Sequence, residues 1–155
     1  PNAYGPLDSV DPQKTHALNG MVIRMLKAKL KGARTFEVWG SGRPIREWMF
    51  GEDVGRILVD AALSPAAIAL PVNIGCGESC SIADLATMIR SVVGYAGKIL
   101  FQTEGVEGVM KKEMVVERFC SLYPDFYLTP LAIGLRKTVD YYCNLLEAHA
   151  ASEEG

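Results

Sequence analysis

One stretch limits the fold of this chain more than any other. Residues 69–77, ALPVNIGCG, form an apolar run closed by glycines, and SIADLATMIRSVV follows after three residues. The run reads as a buried strand. Ser81 with Asp84 three residues on has the form of a capping box, and the helix it starts turns Ile82, Leu85, Ala86, Ile89 and Val93 to one side. A strand that runs through glycines straight into a helix is half of a parallel crossover unit, so 70–93 predicts an α/β or α+β fold with parallel pairing. A parallel strand needs neighbours on both sides, and the chain offers few candidates. The expectation is therefore a sheet whose other strands lie outside the sequence. The opening PNAYGP, with no methionine and no leader, points the same way, toward a fragment of a longer protein.

The other elements follow from spacing. Residues 1–12 are rich in breakers. Thr15 is the expected N-cap of a helix with Ala17, Leu18, Met21, Val22, Met25 and Leu26 on one side and His16, Arg24, Lys27 and Lys31 on the other. TFEVWG alternates as a strand, Gly40–Pro44 turns, and IREWMF is expected to return as its hairpin partner. EDVGRILVDAAL predicts a short helix with Val54, Ile57, Leu58 and Ala61 on a core, ended by Pro65. KILF reads as a brief strand, and 102–112 as a glycine-bearing loop ending in Lys111 and Lys112. Thr129 and Pro130 are the expected N-cap and first residue of a last helix, with Leu131, Leu135, Val139, Tyr142 and Leu146 inward and a frayed tail at 151–155.

Composition narrows the function. The chain has 155 residues, enough for one sizeable core, and a net charge of -2 gives no general pull toward nucleic acid or anionic lipid. No apolar run approaches the roughly 20 residues of a membrane span, so no membrane partner is expected and a cytoplasmic location is the default. Cys76, Cys80, Cys120 and Cys143 are too irregular for a disulfide framework and read as reduced thiols. Cys76 and Cys80 would be half of a zinc site, but no second pair follows and both histidines are distant, so no metal is expected.

His16 and Arg24 are eight residues apart, which on a helix means about 80° around the axis and roughly 12 Å along it. They can line one elongated ligand. Imidazole suits proton transfer or hydrogen bonding to hydroxyls and guanidinium suits phosphate, so a sugar joined to a pyrophosphate has the right length and polarity. A solvated helix face with a capping histidine explains the same spacing. In VWGSGRPIREW, Trp39 can stack on a sugar or base, Arg46 can pair with phosphate, and the glycines let backbone approach a ligand. A tight hairpin with Trp39 in the core fits the pattern equally. Lys111 and Lys112 can close on a second phosphate or simply be surface.

PNAYGP, DPQKTHAL with Arg24, VWGSGRPIREWMF, VNIGCGESCSIADLATMI and VGYAGKILF, in that order, resemble the C-terminal half of GDP-L-fucose synthases, NADP-dependent epimerase-reductases of the extended short-chain dehydrogenase group. The resemblance runs over nearly the whole chain. It implies an α/β fold in which residues 1–150 are the nucleotide-sugar binding region, with 53–75 as the last helix and strand of a Rossmann sheet and the NADP-binding half lying outside the chain. It places Asn2 and Ala3 at the nicotinamide end of NADP and makes His16 both a cofactor neighbour and the acid of epimerisation. Arg24, Trp39 and Arg46 become contacts to the GDP-sugar, Glu107 stands where the family has a substrate-contacting aspartate, and Lys112 aligns with a lysine near the diphosphate. A homodimer is common among such relatives.

The implied reaction is epimerisation of a GDP-4-keto-6-deoxyhexose followed by hydride transfer from NADPH. It also needs a Gly-x-x-Gly-x-x-Gly loop and a Tyr-x-x-x-Lys pair, and the sequence contains neither. Alone, this chain is expected to be inactive. MKKEMVV stands where the family carries Pro-Arg-Lys and Leu-Leu-Asp, with Val115 at the acidic position, and REWMFGEDV carries Gly51 and Glu52 for a valine and an aspartate. These departures leave room for a different nucleotide sugar, and a binding module without catalysis is the alternative of another class.

Overall fold

The computed structural model describes residues 1–64, 70–103 and 108–153. The elements in chain order are β1 (Asn2–Tyr4), α1 (Ala17–Leu30), β2 (Thr35–Trp39), β3 (Ile45–Phe50), α2 (Gly51–Leu63), β4 (Ser79–Ser81), α3 (Ile82–Val93), β5 (Lys98–Gln102), β6 (Lys111–Lys112), α4 (Glu117–Leu122) and α5 (Leu131–Glu153). The fold is mixed α/β, as the sequence predicts, and most strand pairs among the described residues are parallel.

β3 organises the larger sheet. Its last three residues pair in parallel with β1, in the register Asn2 with Trp48, Ala3 with Met49 and Tyr4 with Phe50. Its first three pair antiparallel with β4, Arg46 opposite Cys80, and Ile45 and Arg46 also pair in parallel with Lys111 and Lys112 of β6. β2 and β5 make a separate two-stranded parallel sheet, Thr35 opposite Lys98 through Trp39 opposite Gln102.

The expected β2–β3 hairpin does not form. The two strands lie in different sheets, because the backbone of 40–44 is claimed by other elements. Gly40 N donates to Gln102 O, while Gly42 O and Pro44 O accept from Ala83 N and Ile82 N at the start of α3. The loop thus satisfies N–H groups that a helix N-terminus leaves open.

The main core lies between α1, α3 and α5, each in contact with the other two, and the strands beneath them. Leu18, Val22, Met25, Leu85, Ala86, Ile89, Leu135 and Tyr142 are buried there. Ser81 caps α3 as the capping box predicts, its hydroxyl accepting from Asp84 N and donating to the Asp84 carboxylate, and Gly94 closes the helix in the left-handed conformation. The cap of α1 is His16, one residue later than expected, because the Thr15 hydroxyl is turned to Asp8. α5 likewise starts one residue late: Pro130 O accepts its first bonds, while Thr129 N and Oγ1 both donate to Asp53. It continues to Glu153, through most of the tail expected to fray.

A second cluster joins Met49, Ile57 and Phe119 with Val54, Val72, Ile74 and Phe126. Residues 70–75, expected to form a strand, lie beside it without ladder pairing; of the run 69–77, position 69 falls outside the described residues. A strand exists only where a neighbouring backbone supplies partners, and among the described residues none lies alongside. On α2, Ile57 is buried, but Leu58, expected in the core, is 57% exposed, and Val59 and Leu63 are open as well. We expect the 155-residue chain to bind the dye ANS or to self-associate through this face. An ANS-silent monomer would contradict that.

Candidate functional site

α1 and β2 build the site. His16 sits at the N-terminus of α1, Arg24 two turns on, and Trp39 at the end of β2. All three line one pocket of about 280 Å³, together with Val10, Met21, Trp48 and Ile82. Trp39 is not the core residue that a tight hairpin would make it: it is 75% exposed. The Arg24 guanidinium carbon lies 4.9 Å from the centre of the Trp39 ring and 5.2 Å from that of Phe36, and Nη1 donates to Glu37 O at 3.3 Å. Burial lowers the pKa of Arg24 from its usual value, yet an arginine keeps its charge. The result is a fixed cation against one face of an indole, with the rest of the ring open to the pocket mouth.

Asp8 holds the histidine. His16 Nδ1 lies 3.1 Å from Asp8 Oδ1, and Asp8 Oδ2 accepts from His16 N at 2.9 Å and from Asn19 Nδ2 at 2.9 Å. Partial burial pushes the Asp8 carboxyl up, but the hydrogen bonds from Asn19, His16 and Ser9 outweigh it and hold it well below the usual carboxylate range. An ionised carboxylate only accepts, so Nδ1 carries the hydrogen and Nε2 is left for the pocket. Sequence reading missed Asp8; the only signal was the DSVDP turn cluster eight residues ahead of His16.

Two predictions follow from this bond. In the neutral ring, ¹⁵N spectra of His16 are expected to show the Nδ1–H tautomer, and Asp8→Ala to shift the mixture toward Nε2–H; an unchanged mixture contradicts the assignment. For stability, a carboxyl depressed in the folded state contributes above its unfolded pKa of about 3.9 and loses that contribution as the medium acidifies further. Over the range where the carboxyl itself titrates, the gap in thermal midpoint between wild type and Asp8→Asn is therefore expected to narrow as the pH falls below about 4. A gap that widens on acidification would refute this.

Arg46 and Lys112 form a second group, facing each other across the β3–β6 pair, and neither lines the pocket. Arg46 Nη1 donates to Ile45 O at 2.7 Å, and its other nitrogen passes close to Gly108. Glu107 lies outside the described residues. At Gly42 the room left by the missing side chain is filled by the protein rather than open to a ligand. Gly42 has φ +77°, and a Cβ there would come within 2.6 Å of Phe101 and 3.1 Å of Ala83, so the close approach is to the protein itself. Asn2 and Ala3 are exposed on β1 beside Trp48 and Met49, with Asn2 Nδ2 donating to Glu47 O. β3 therefore strings the groups together: Arg46 and Lys112 at one end, Trp48 at the pocket wall, and Asn2 and Ala3 alongside the other end.

Other chemistry is weakly supported. Burial pushes the Tyr4 phenol well up, and burial with Asp8 nearby pushes Tyr142 to about 12, so neither is poised near neutral pH. The Cys76 and Cys80 thiols are also pushed up, chiefly by burial. Among the described residues no group of three or more His, Cys, Asp or Glu is arranged to hold a metal ion, and no helix is long and apolar enough to cross a membrane.

Known proteins resemble this chain in sequence and in fold. Residues 1–75 match the NAD dependent epimerase/dehydratase family, and the fold is that of its α/β structures. Over 91% of its length the chain is 34% identical to GDP-L-fucose synthase 1 of Arabidopsis thaliana, covering 43% of that protein. It is 29% identical to the GDP-L-fucose synthase of Azorhizobium caulinodans over 91% of this chain and 45% of that one. A GDP-L-fucose synthetase from Naegleria fowleri solved with NADP superimposes with a TM-score of 0.87 at 28% identity, over 94% of this chain and 46% of that one. The chain is thus similar to GDP-L-fucose synthases over the span it covers, and it spans somewhat under half the length of these relatives.

Proposed function

We propose that this chain is the substrate-binding part of a nucleotide-sugar epimerase-reductase that takes a GDP-sugar. The observation that carries the reading is the Arg24 cation set against the open Trp39 indole in the pocket that also receives His16. A planar base or sugar ring can stack on the free indole face while the guanidinium meets phosphate or hydroxyl oxygens. Arg46 and Lys112 would hold the diphosphate between two strands, and Glu107 would be a further contact to the substrate.

His16 would act through Nε2. With Asp8 accepting at Nδ1, a protonated ring can give its Nε2 proton to the enolate carbon of a 4-keto sugar and return to the neutral form, which is the proton delivery that epimerisation requires. The carboxylate stabilises the imidazolium before the transfer and fixes which nitrogen faces the sugar.

Asn2, Ala3 and His16 are exposed and would meet the nicotinamide end of NADP. They fit that end alone, since no glycine-rich pyrophosphate loop is present in the sequence. When bound, the cofactor supplies the hydride for reduction of the keto group. The chain's own part is to bind and orient the sugar and to move the proton at Nε2.

Arg46→Ala tests the reading. It is expected to weaken GDP-sugar binding about tenfold, in line with loss of a charge-assisted contact, while leaving the unfolding midpoint in place. Unchanged affinity would overturn the assignment.

A further inference from the structure

β6 is two residues long and both are exposed, so packing alone cannot fix Lys112 opposite Arg46. What holds it is a buried carboxylate. Glu47, next to Arg46 on β3, is 2% exposed. Its Oε1 accepts from Cys76 N at 2.6 Å and Gly77 N at 3.2 Å, and its Oε2 accepts from Met114 N at 3.0 Å. Two chain segments are tied to β3 through one side chain: the 75–77 turn and the stretch that leaves β6.

The local sequence is shaped to this carboxylate. A Cβ on Gly75 would collide with Glu47 Oε1 and would press on Val116. Gly77 adopts φ +69°, in the left-handed region, where its N–H points at the same oxygen. Successive backbone N–H groups gathered this way form an anion-binding concavity, here filled by the protein's own carboxylate. A second tie lies outside it: Glu113 accepts from the Ser79 hydroxyl and pairs with Lys111 at 2.8 Å. That tie is solvent-exposed, where an ion pair contributes little. The buried one adds to the β3–β6 backbone pairing, which includes Ile45 N donating to Met110 O at 2.7 Å, in holding β6.

We propose that Glu47 is the positioning residue of the diphosphate clamp: it sets the separation of Lys112 from Arg46 by anchoring Met114 and the 75–77 turn to β3. The inference rests on the reading of Arg46 and Lys112 as phosphate ligands. It separates Glu47 from residues that only stabilise the fold, because its loss should be felt by phosphate and not by the base.

The test uses the 155-residue chain with GDP, inorganic pyrophosphate and guanosine as probes, and amide hydrogen exchange over 111–116. Glu47→Gln replaces one acceptor oxygen by a donor, leaving at least one of the three N–H groups without an acceptor. It is expected to speed exchange over 111–116 and to weaken GDP and pyrophosphate binding about tenfold, equivalent to about 1.4 kcal/mol, with guanosine affinity unchanged. Met114→Pro deletes a single donor and leaves the carboxylate its other two partners, so it gives the same pattern if Glu47→Gln does not fold. Unchanged exchange in a folded variant, or faster exchange with GDP affinity equal to wild type, overturns the proposal. Equal loss for GDP and guanosine also overturns it. A wild-type chain that binds neither GDP nor pyrophosphate sinks the clamp reading itself, and this inference with it.

Discussion

Asp53→Ala is expected to lower the stability of the protein by about 3 kcal/mol, because it removes a buried carboxylate and strands the donors gathered around it. Asp53 is 1% exposed. Its Oδ2 accepts from Thr129 N at 2.6 Å, and its Oδ1 from Thr129 Oγ1 at 3.1 Å and from Arg56 Nη1 at 3.3 Å. Those bonds join the first turn of α2 to the residue that leads into α5, 76 positions away. Without them Thr129 N is left unsatisfied beside an empty space, and the docking of α5 loosens. For a domain of this size the midpoint of thermal unfolding is expected to fall by roughly 10 °C. Asp53→Asn keeps the shape and one accepting oxygen and is expected to lose about half as much. A loss below about 1 kcal/mol for the alanine variant, measured by denaturant titration, would mean that water replaces the carboxylate at no cost.

The second large effect is on binding. Trp39→Ala is expected to weaken GDP-sugar affinity by about tenfold to a hundredfold, the range that loss of one base-stacking aromatic produces. At 75% exposure the side chain contributes little to the core, so stability should hardly move. Arg24 separates two ways of losing affinity. Arg24→Lys keeps the charge but loses the flat surface that lies against both Phe36 and Trp39. If stacking geometry matters, the lysine variant binds nearly as poorly as Trp39→Ala. If charge alone matters, it binds like wild type.

Much of the fold was legible because helices are local. The spacing of Leu85, Ala86, Ile89 and Val93, with Ser81 and Asp84 ahead of them, needs nothing from the rest of the chain to specify α3, and the structure has that helix capped as expected. Strand pairing is not local. TFEVW alternates as a strand should and IREWMF also reads as a strand, yet the neighbour of each is fixed by distant residues: Lys98–Gln102 for the first, and Asn2–Tyr4, Ser79–Ser81 and Lys111–Lys112 for the second. The apolar run at 70–75 shows the same limit, for composition gives a strand candidate but only an adjacent backbone makes it a strand.

The site divides in the same way. His16, Arg24 and Trp39 come from spacing and from the family resemblance, and the structure gathers them in one pocket. The carboxylates that hold the site and the fold in place do not show in any pattern. Asp8 reaches His16 across a turn, Glu47 reaches Met114 across 67 positions, and Asp53 reaches Thr129 across 76. A carboxylate in a sequence looks like surface until the fold buries it. Gly42 misled for the complementary reason, because room made by a missing side chain says nothing of which neighbour fills it.

The most direct measurement is a calorimetric titration of the 155-residue chain with GDP-mannose, with UDP-glucose as the comparison, repeated on Trp39→Ala. A GDP-sugar pocket on this chain predicts saturable binding of GDP-mannose at least about tenfold tighter than of UDP-glucose, lost or strongly weakened in the variant. No saturable binding of either sugar nucleotide, or equal binding by wild type and Trp39→Ala, would contradict it.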